Sequence, residues 1–123
     1  MVYQFAQQML KGNPKLFKFG DQRRDYIYVK DVVKANMLAS EAKESCVVNC
    51  GSGKAISFNK IVELLNPILG LSRDPEYIDN PFKGAYQCYT ECDMNLAKEK
   101  IGFVSEYSFE KGLIDYYRSG FLI

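Results

Sequence analysis

At 123 residues, 47% of them hydrophobic, the chain has the length of one ordinary domain and enough apolar side chains for a core. A charged fraction of 25% and a formal net charge of +1 exclude a disordered chain and a generally basic nucleic-acid binder. No apolar run approaches the roughly 20 residues needed to cross a bilayer, and no basic segment followed by an apolar stretch opens the chain, so a cytoplasmic protein without membrane partners is expected.

The first predicted element is a helix carrying Val2, Phe5, Ala6, Met9 and Leu10 on one face, stopped by Gly12. Nothing precedes it to act as a cap, which predicts residues missing upstream. Asn13-Pro14 turns the chain into an extended piece, Lys15 to Phe19, and Gly20-Asp21 turns it again. Tyr26 to Val29 is a β-favouring run. Asp31 is the expected cap of a helix reaching about Ala42, with Ala35, Ala39 and Ala42 small enough to lie close on a sheet.

Cys46 to Cys50 reads as a strand leading into Gly51-Ser52-Gly53. Ser57 is the expected cap of a helix presenting Ile61, Leu64, Leu65 and Ile68. Pro67 has no N–H for the Glu63 carbonyl, so that helix should kink or end nearby, with Gly70 as its stop. Glu76 to Ile78 is a short strand, and Asn80-Pro81 opens a loop reaching Tyr89. Asp93 is expected to cap a short helix closed by Gly102, and Ser108 a last one carrying Phe109, Leu113, Tyr116 and Tyr117. Helices and strands alternate only in part, as in a portion of an α/β domain rather than a whole one.

The absence of histidine excludes Ser-His-Asp and Cys-His catalysis within the chain. Cys46, Cys50, Cys88 and Cys92 form two C-x3-C pairs, a count that suits a four-thiolate zinc site. The strand-like Val47-Val48-Asn49 between the first two is not a zinc knuckle, so reduced, partly buried thiols and no metal are expected. Charge is uneven: Met1 to Lys43 hold eight basic and four acidic residues, the remainder eight and eleven. An anionic ligand is therefore expected on the N-terminal third.

Three segments are candidates for chemistry. In Phe17 to Tyr26, Arg23 and Arg24 follow a Gly-Asp turn, and the planar guanidinium suits phosphate, with Phe17 and Phe19 available to pack on a base or sugar. The competing reading is a charged turn with Arg24 paired to Asp25 or Asp31. Gly51-Ser52-Gly53 after a strand can cradle phosphate, although Ile56 breaks a G-x-G-x-x-G spacing. On the loop at 80–87, Tyr86 beside Lys83 is either a ligand contact or an aromatic of the core.

Together these segments resemble a family. R-R-D-Y-I-Y-V-K-D-V-V-K-A at Arg23 to Ala35, V-V-N-C-G-S-G from Val47, D-x-x-x-A-x-x-x-x-G-F from Asp93 and S-F-E-K-G-L from Ser108 look like the C-terminal half of extended short-chain dehydrogenase/reductase enzymes acting on nucleotide sugars. Within that group, F-K-G-A-Y-Q-C-Y-T at Phe82 to Thr90 is similar to the loop of the ADP-L-glycero-D-manno-heptose 6-epimerase family. The resemblance implies an α/β fold class: the C-terminal substrate-binding portion, residues 1–123, of an extended Rossmann-type enzyme without its dinucleotide-binding core. It implies a nucleotide-diphosphate sugar, ADP-heptose, as ligand, held by Arg24 at the phosphates and lined by Phe17, Lys18, Phe19 and Tyr86. The stretch from Phe17 to Arg24 is one residue shorter than in that family. NADP, the Gly-rich cofactor loop and the catalytic Tyr-x-x-x-Lys pair are expected in an N-terminal domain upstream of Met1, leaving no catalytic residue here. A homo-oligomer is expected. The alternatives are another nucleotide-sugar 4-epimerase or dehydratase, or a non-catalytic sugar-nucleotide-binding module.

Overall fold

The computed structural model describes residues 1–82 and 84–123. Its elements in chain order are α1 (Val2–Lys11), β1 (Lys15–Phe17), β2 (Arg23–Asp25), α2 (Val29–Ser40), β3 (Ala55–Ser57), α3 (Phe58–Leu69), β4 (Glu76–Ile78), α4 (Asn95–Ile101) and α5 (Phe109–Arg118). The chain is α/β, as expected, but its strands are short and form two separate pairs. β1 and β4 run parallel with Leu16 opposite Tyr77; β2 and β3 run antiparallel with Arg24 opposite Ile56.

Two apolar clusters hold these elements. In the larger, Phe5, Ala6 and Met9 of α1 meet Leu16 of β1, Phe58, Ile61, Val62 and Leu65 of α3, Leu113 of α5, and Leu122. In the smaller, Ala35 of α2 packs with Ala97, Ile101 and Phe103. Ala35 therefore lies against α4 and its end, not against a sheet, and Ala39 is exposed.

Local chemistry fixes the better-read helix ends. Ser57 Oγ accepts from Lys60 N at 3.2 Å at the start of α3, and Ser108 Oγ accepts from Lys111 N at 3.2 Å at the start of α5. α3 continues two residues past Pro67, because the missing N–H falls in the last turn, and ends where Gly70 turns left-handed at φ 66°.

Three expectations are corrected. The strand lies at Arg23–Asp25, not Tyr26–Val29: the Tyr28 carbonyl already accepts from Asp31 N and Val32 N, so α2 begins at Val29 with Tyr28 as its cap residue. Asp31 consequently sits inside the first turn. Residues 46–50 form no strand with any described part of the chain, since no ladder partner lies beside them. A short helix does follow Asp93, but one position later than a side-chain cap requires: Asp93 Oδ1 accepts from Asn95 N at 2.9 Å ahead of the Met94 cap. Among the described residues no helix is long and apolar enough to cross a membrane.

Candidate functional site

β2 is three residues long, so its side chains alternate: Arg23 and Asp25 leave one face and Arg24 the other. On the Arg24 face, the guanidinium lies 5.4 Å from the Tyr86 ring centroid and 5.9 Å from that of Phe58. Its Nη1 donates to the Arg23 carbonyl at 2.8 Å and its Nη2 to the Gln87 carbonyl. Phe17 stands edge-on to Tyr86, with centroids 5.3 Å apart, and Phe82 is 6.4 Å from Phe17. Sequence elements far apart thus meet: the end of β1, the middle of β2, the first residue of α3 and the 82–87 loop. The arrangement is a half-buried cation on an aromatic floor. Among the described residues Arg24 makes no ion pair, which sets aside the pairing with Asp25 or Asp31.

Not every expected residue joins this group. Lys18 pairs with Asp79 at 3.0 Å, both side chains largely exposed. Phe19 is 71% exposed, and its carbonyl, not its ring, is held, by Asn59 Nδ2 at 2.8 Å. Arg23 is exposed and takes part through its backbone, its N–H donating to the Cys88 carbonyl at 2.9 Å. Lys83 lies outside the described residues. Phe58 and Gln87 belong to the site and were not expected. Phe58 follows a recognisable helix cap, whereas Gln87 contributes only a carbonyl, for which a sequence carries no sign.

The Asp25 face explains the glycine-rich segment. The Asp25 carboxylate accepts from Ser52 N at 2.8 Å, Ser52 Oγ at 2.5 Å, Gly53 N at 2.8 Å and Cys92 N at 3.1 Å. The expected phosphate cradle is therefore filled by a carboxylate of the same chain. Burial raises the Asp25 pKa, but the bonds from the Ser52 hydroxyl and the Ser52, Cys92 and Gly53 amides outweigh it and hold the group below its usual range. Gly51 is required for the approach, since a Cβ there would lie 2.3 Å from Cys92 Cβ and 2.8 Å from Asp25 Oδ2. These amides do not fit a dinucleotide.

Two Tyr-x-x-x-Lys spacings are present in the chain, Tyr26 with Lys30 and Tyr107 with Lys111, which corrects the expectation that the spacing lies only upstream. In each, the tyrosine precedes its helix, so the two side chains are not stacked one turn apart. The Tyr26 hydroxyl donates to Met1 Sδ at 3.3 Å, and burial, partly opposed by Arg24, pushes its pKa up to about 12. Lys30 Nζ binds Asp115 at 2.6 Å, and Lys111 Nζ lies over the Tyr107 ring at 4.2 Å, not at its hydroxyl.

The cysteines are free, and only Cys92 is partly buried; Cys46, Cys50 and Cys88 are exposed, the first two because residues 46–50 do not enter a sheet.

The class of protein to which this arrangement is similar is given by a family model: residues 1–51 match the NAD dependent epimerase/dehydratase family. Particular relatives agree. The chain is 35% identical over 111 residues to a putative UDP-glucose 4-epimerase of Methanocaldococcus jannaschii, covering 89% of this chain and 35% of the relative. It superposes on the UDP-glucose 4-epimerase of Thermotoga maritima, solved with UDP-glucose, with a TM-score of 0.82 and 37% identity over 97% of this chain and 39% of that one. The ADP-L-glycero-D-manno-heptose-6-epimerase of Helicobacter pylori superposes with a TM-score of 0.83 and 36% identity over 97% of this chain and 37% of that one. The fold is thus the α/β arrangement found in part of extended short-chain dehydrogenase/reductase epimerases, and the chain spans between a third and two-fifths of the length of these relatives.

Proposed function

We propose that residues 1–123 are the C-terminal substrate-binding portion of a nucleotide-sugar epimerase, with Arg24 as the diphosphate contact and Phe17 and Tyr86 as walls of the sugar-nucleotide pocket. The observation that carries this reading is the Arg24 guanidinium held on the Tyr86 ring at 5.4 Å with no carboxylate partner among the described residues. Such a group meets an anion without first breaking an ion pair, and each Nη keeps a second N–H beyond its carbonyl bond for a phosphate oxygen. Lys18 and Phe19 are second-rank members, one paired with Asp79 and one standing open to solvent.

Within this class the K-G-x-Y-Q segment favours an ADP-glyceromannoheptose 6-epimerase that inverts a sugar carbon by oxidation and reduction in the complete enzyme. The likeness to the Thermotoga maritima and Methanocaldococcus jannaschii proteins favours a UDP-sugar 4-epimerase instead. On either reading the nicotinamide cofactor belongs to a separate N-terminal domain, NADP in the first case and NAD by the family's description, because the glycine-rich amides here are taken by Asp25.

Titration calorimetry with ADP and UDP tests the proposal. Arg24→Ala should weaken the preferred nucleotide by about 2–4 kcal/mol, roughly 30- to 1,000-fold. Arg24→Lys should recover part of this, and Arg23→Ala should change little. Equal losses at Arg23 and Arg24 would show the phosphate contact to be misplaced. The base that binds more tightly separates the two enzyme readings.

A further inference from the structure

We propose that Asp25 is a positioning residue for the Arg24 site: its carboxylate fixes where the chain from Tyr86 to Cys92 lies across β2. The inference rests on the reading of Arg24 as a nucleotide contact only for its consequence, not for its geometry. β2 is flanked on one side by β3 and on the other by residues 88–90, where Arg23 N donates to the Cys88 carbonyl, Thr90 N to the Arg23 carbonyl and Asp25 N to the Thr90 carbonyl. These three bonds align the segment but leave its end open. The Asp25 carboxylate closes that end, with one oxygen on the Ser52 amide and hydroxyl and the other shared by Gly53 N and Cys92 N.

One charge therefore joins three pieces of backbone, and Gly51 lets them approach. The segment it closes is the one that delivers Tyr86 to the Arg24 guanidinium and Gln87 to its Nη2. Bonds to an ionised acceptor are about twice as strong as neutral ones, so no neutral side chain replaces this clamp. Asp25 touches no ligand on this account. It acts through the loop.

Hydrogen exchange and nucleotide binding on the same variants test this. Asp25→Asn should speed exchange at the Thr90 and Cys92 amides by about tenfold or more, as loss of a charged hydrogen bond implies. The Ile61 and Val62 amides of α3 serve as the control for the fold. Ser52→Ala, which removes one donor and keeps the charge, should do the same to a smaller extent, and it decides the matter if Asp25→Asn does not fold. For ADP and UDP, Asp25→Asn should weaken binding, and Asp25→Asn combined with Arg24→Ala should lose little more than Arg24→Ala alone. Unchanged exchange at Thr90 and Cys92, or fully additive binding losses, would overturn the proposal. If the unaltered chain binds neither nucleotide, the Arg24 reading fails, and the exchange measurement still decides the role of Asp25.

Discussion

Asp31 is buried, and three donors converge on its carboxylate: Ser105 Oγ at 2.7 Å, Glu106 N at 3.1 Å and Tyr107 N at 3.0 Å. Burial raises its pKa, but these bonds and the nearby Lys34 outweigh that and leave it below its usual value. Asp25 is lowered in the same way. A carboxyl whose pKa is lower folded than unfolded stabilises the fold above its unfolded pKa, about 3.9, and that contribution disappears as pH falls through the folded value. The melting temperature should therefore drop steeply with acid below about pH 4. Asp31→Asn should lower the melting temperature at neutral pH and flatten this acid limb; an unaltered limb in a folded variant would refute the assignment. Tyr86 offers the opposite case. Among the described residues its hydroxyl has no hydrogen-bond partner; its ring meets Arg24 and Phe17, and it lies close enough to Tyr26 to help raise that phenol's pKa. Tyr86→Phe should leave the melting temperature nearly unchanged while weakening sugar-nucleotide binding. Lower stability with normal binding would make Tyr86 a packing residue.

At the scale of elements, the start of α3 matters most, because it supplies Phe58 to the Arg24 floor and four side chains to the larger core. Ser57→Ala removes its cap and should cost about 1 kcal/mol in a denaturant melt. Gly20→Ala should cost more. Its φ of 72° strains any other residue, and a Cβ would lie 2.0 Å from Asn59 Oδ1, displacing the side chain that holds the Phe19 carbonyl and accepts from the Tyr77 hydroxyl. A larger loss from Ser57→Ala would contradict this order. The same contrast marks what was legible in the sequence. Ser57, Ser108, Gly70 and Gly102 act through neighbours a few positions away, so their helix ends follow from the residues alone. Tyr26–Val29 and Cys46–Cys50 have β-favouring residues, but a strand also needs a partner, and the partners of β2 are Ala55–Ser57 and residues 88–90. Arg-Arg-Asp is a strand because those two backbone partners flank it, not by propensity. Sequence motifs point to Phe17, Arg24 and Tyr86, and the structure brings these three side chains together. Asp25 was missed as an internal anion because a Gly-x-Gly amide cradle holds a carboxylate or a phosphate by the same bonds.

At the scale of the molecule, the larger core holds ten buried residues among those described and the smaller four, so the α2–α4 side has less holding it. α2 is covered on two sides. Ala35 meets α4, while Lys30 and Lys34 reach across to Asp115 and Glu106. Its third side is not covered. Val29, Val33 and Met37, spaced to share one helical face, are 61%, 54% and 63% exposed, and Val47 beyond the helix is 91% exposed. Single exposed apolar residues are ordinary, but a contiguous stripe along a helix is unusual on a soluble monomer. The isolated chain should therefore associate as its concentration rises, and light scattering across a dilution series measures this. Val33→Lys with Met37→Lys places two like charges on the stripe without touching either core. It should shift the chain towards monomer and leave the melting temperature of the larger core unchanged. A chain that is monomeric at high concentration, with slowly exchanging amides throughout 29–50, would instead show the α2 side to be self-sufficient, as a free-standing binding module requires.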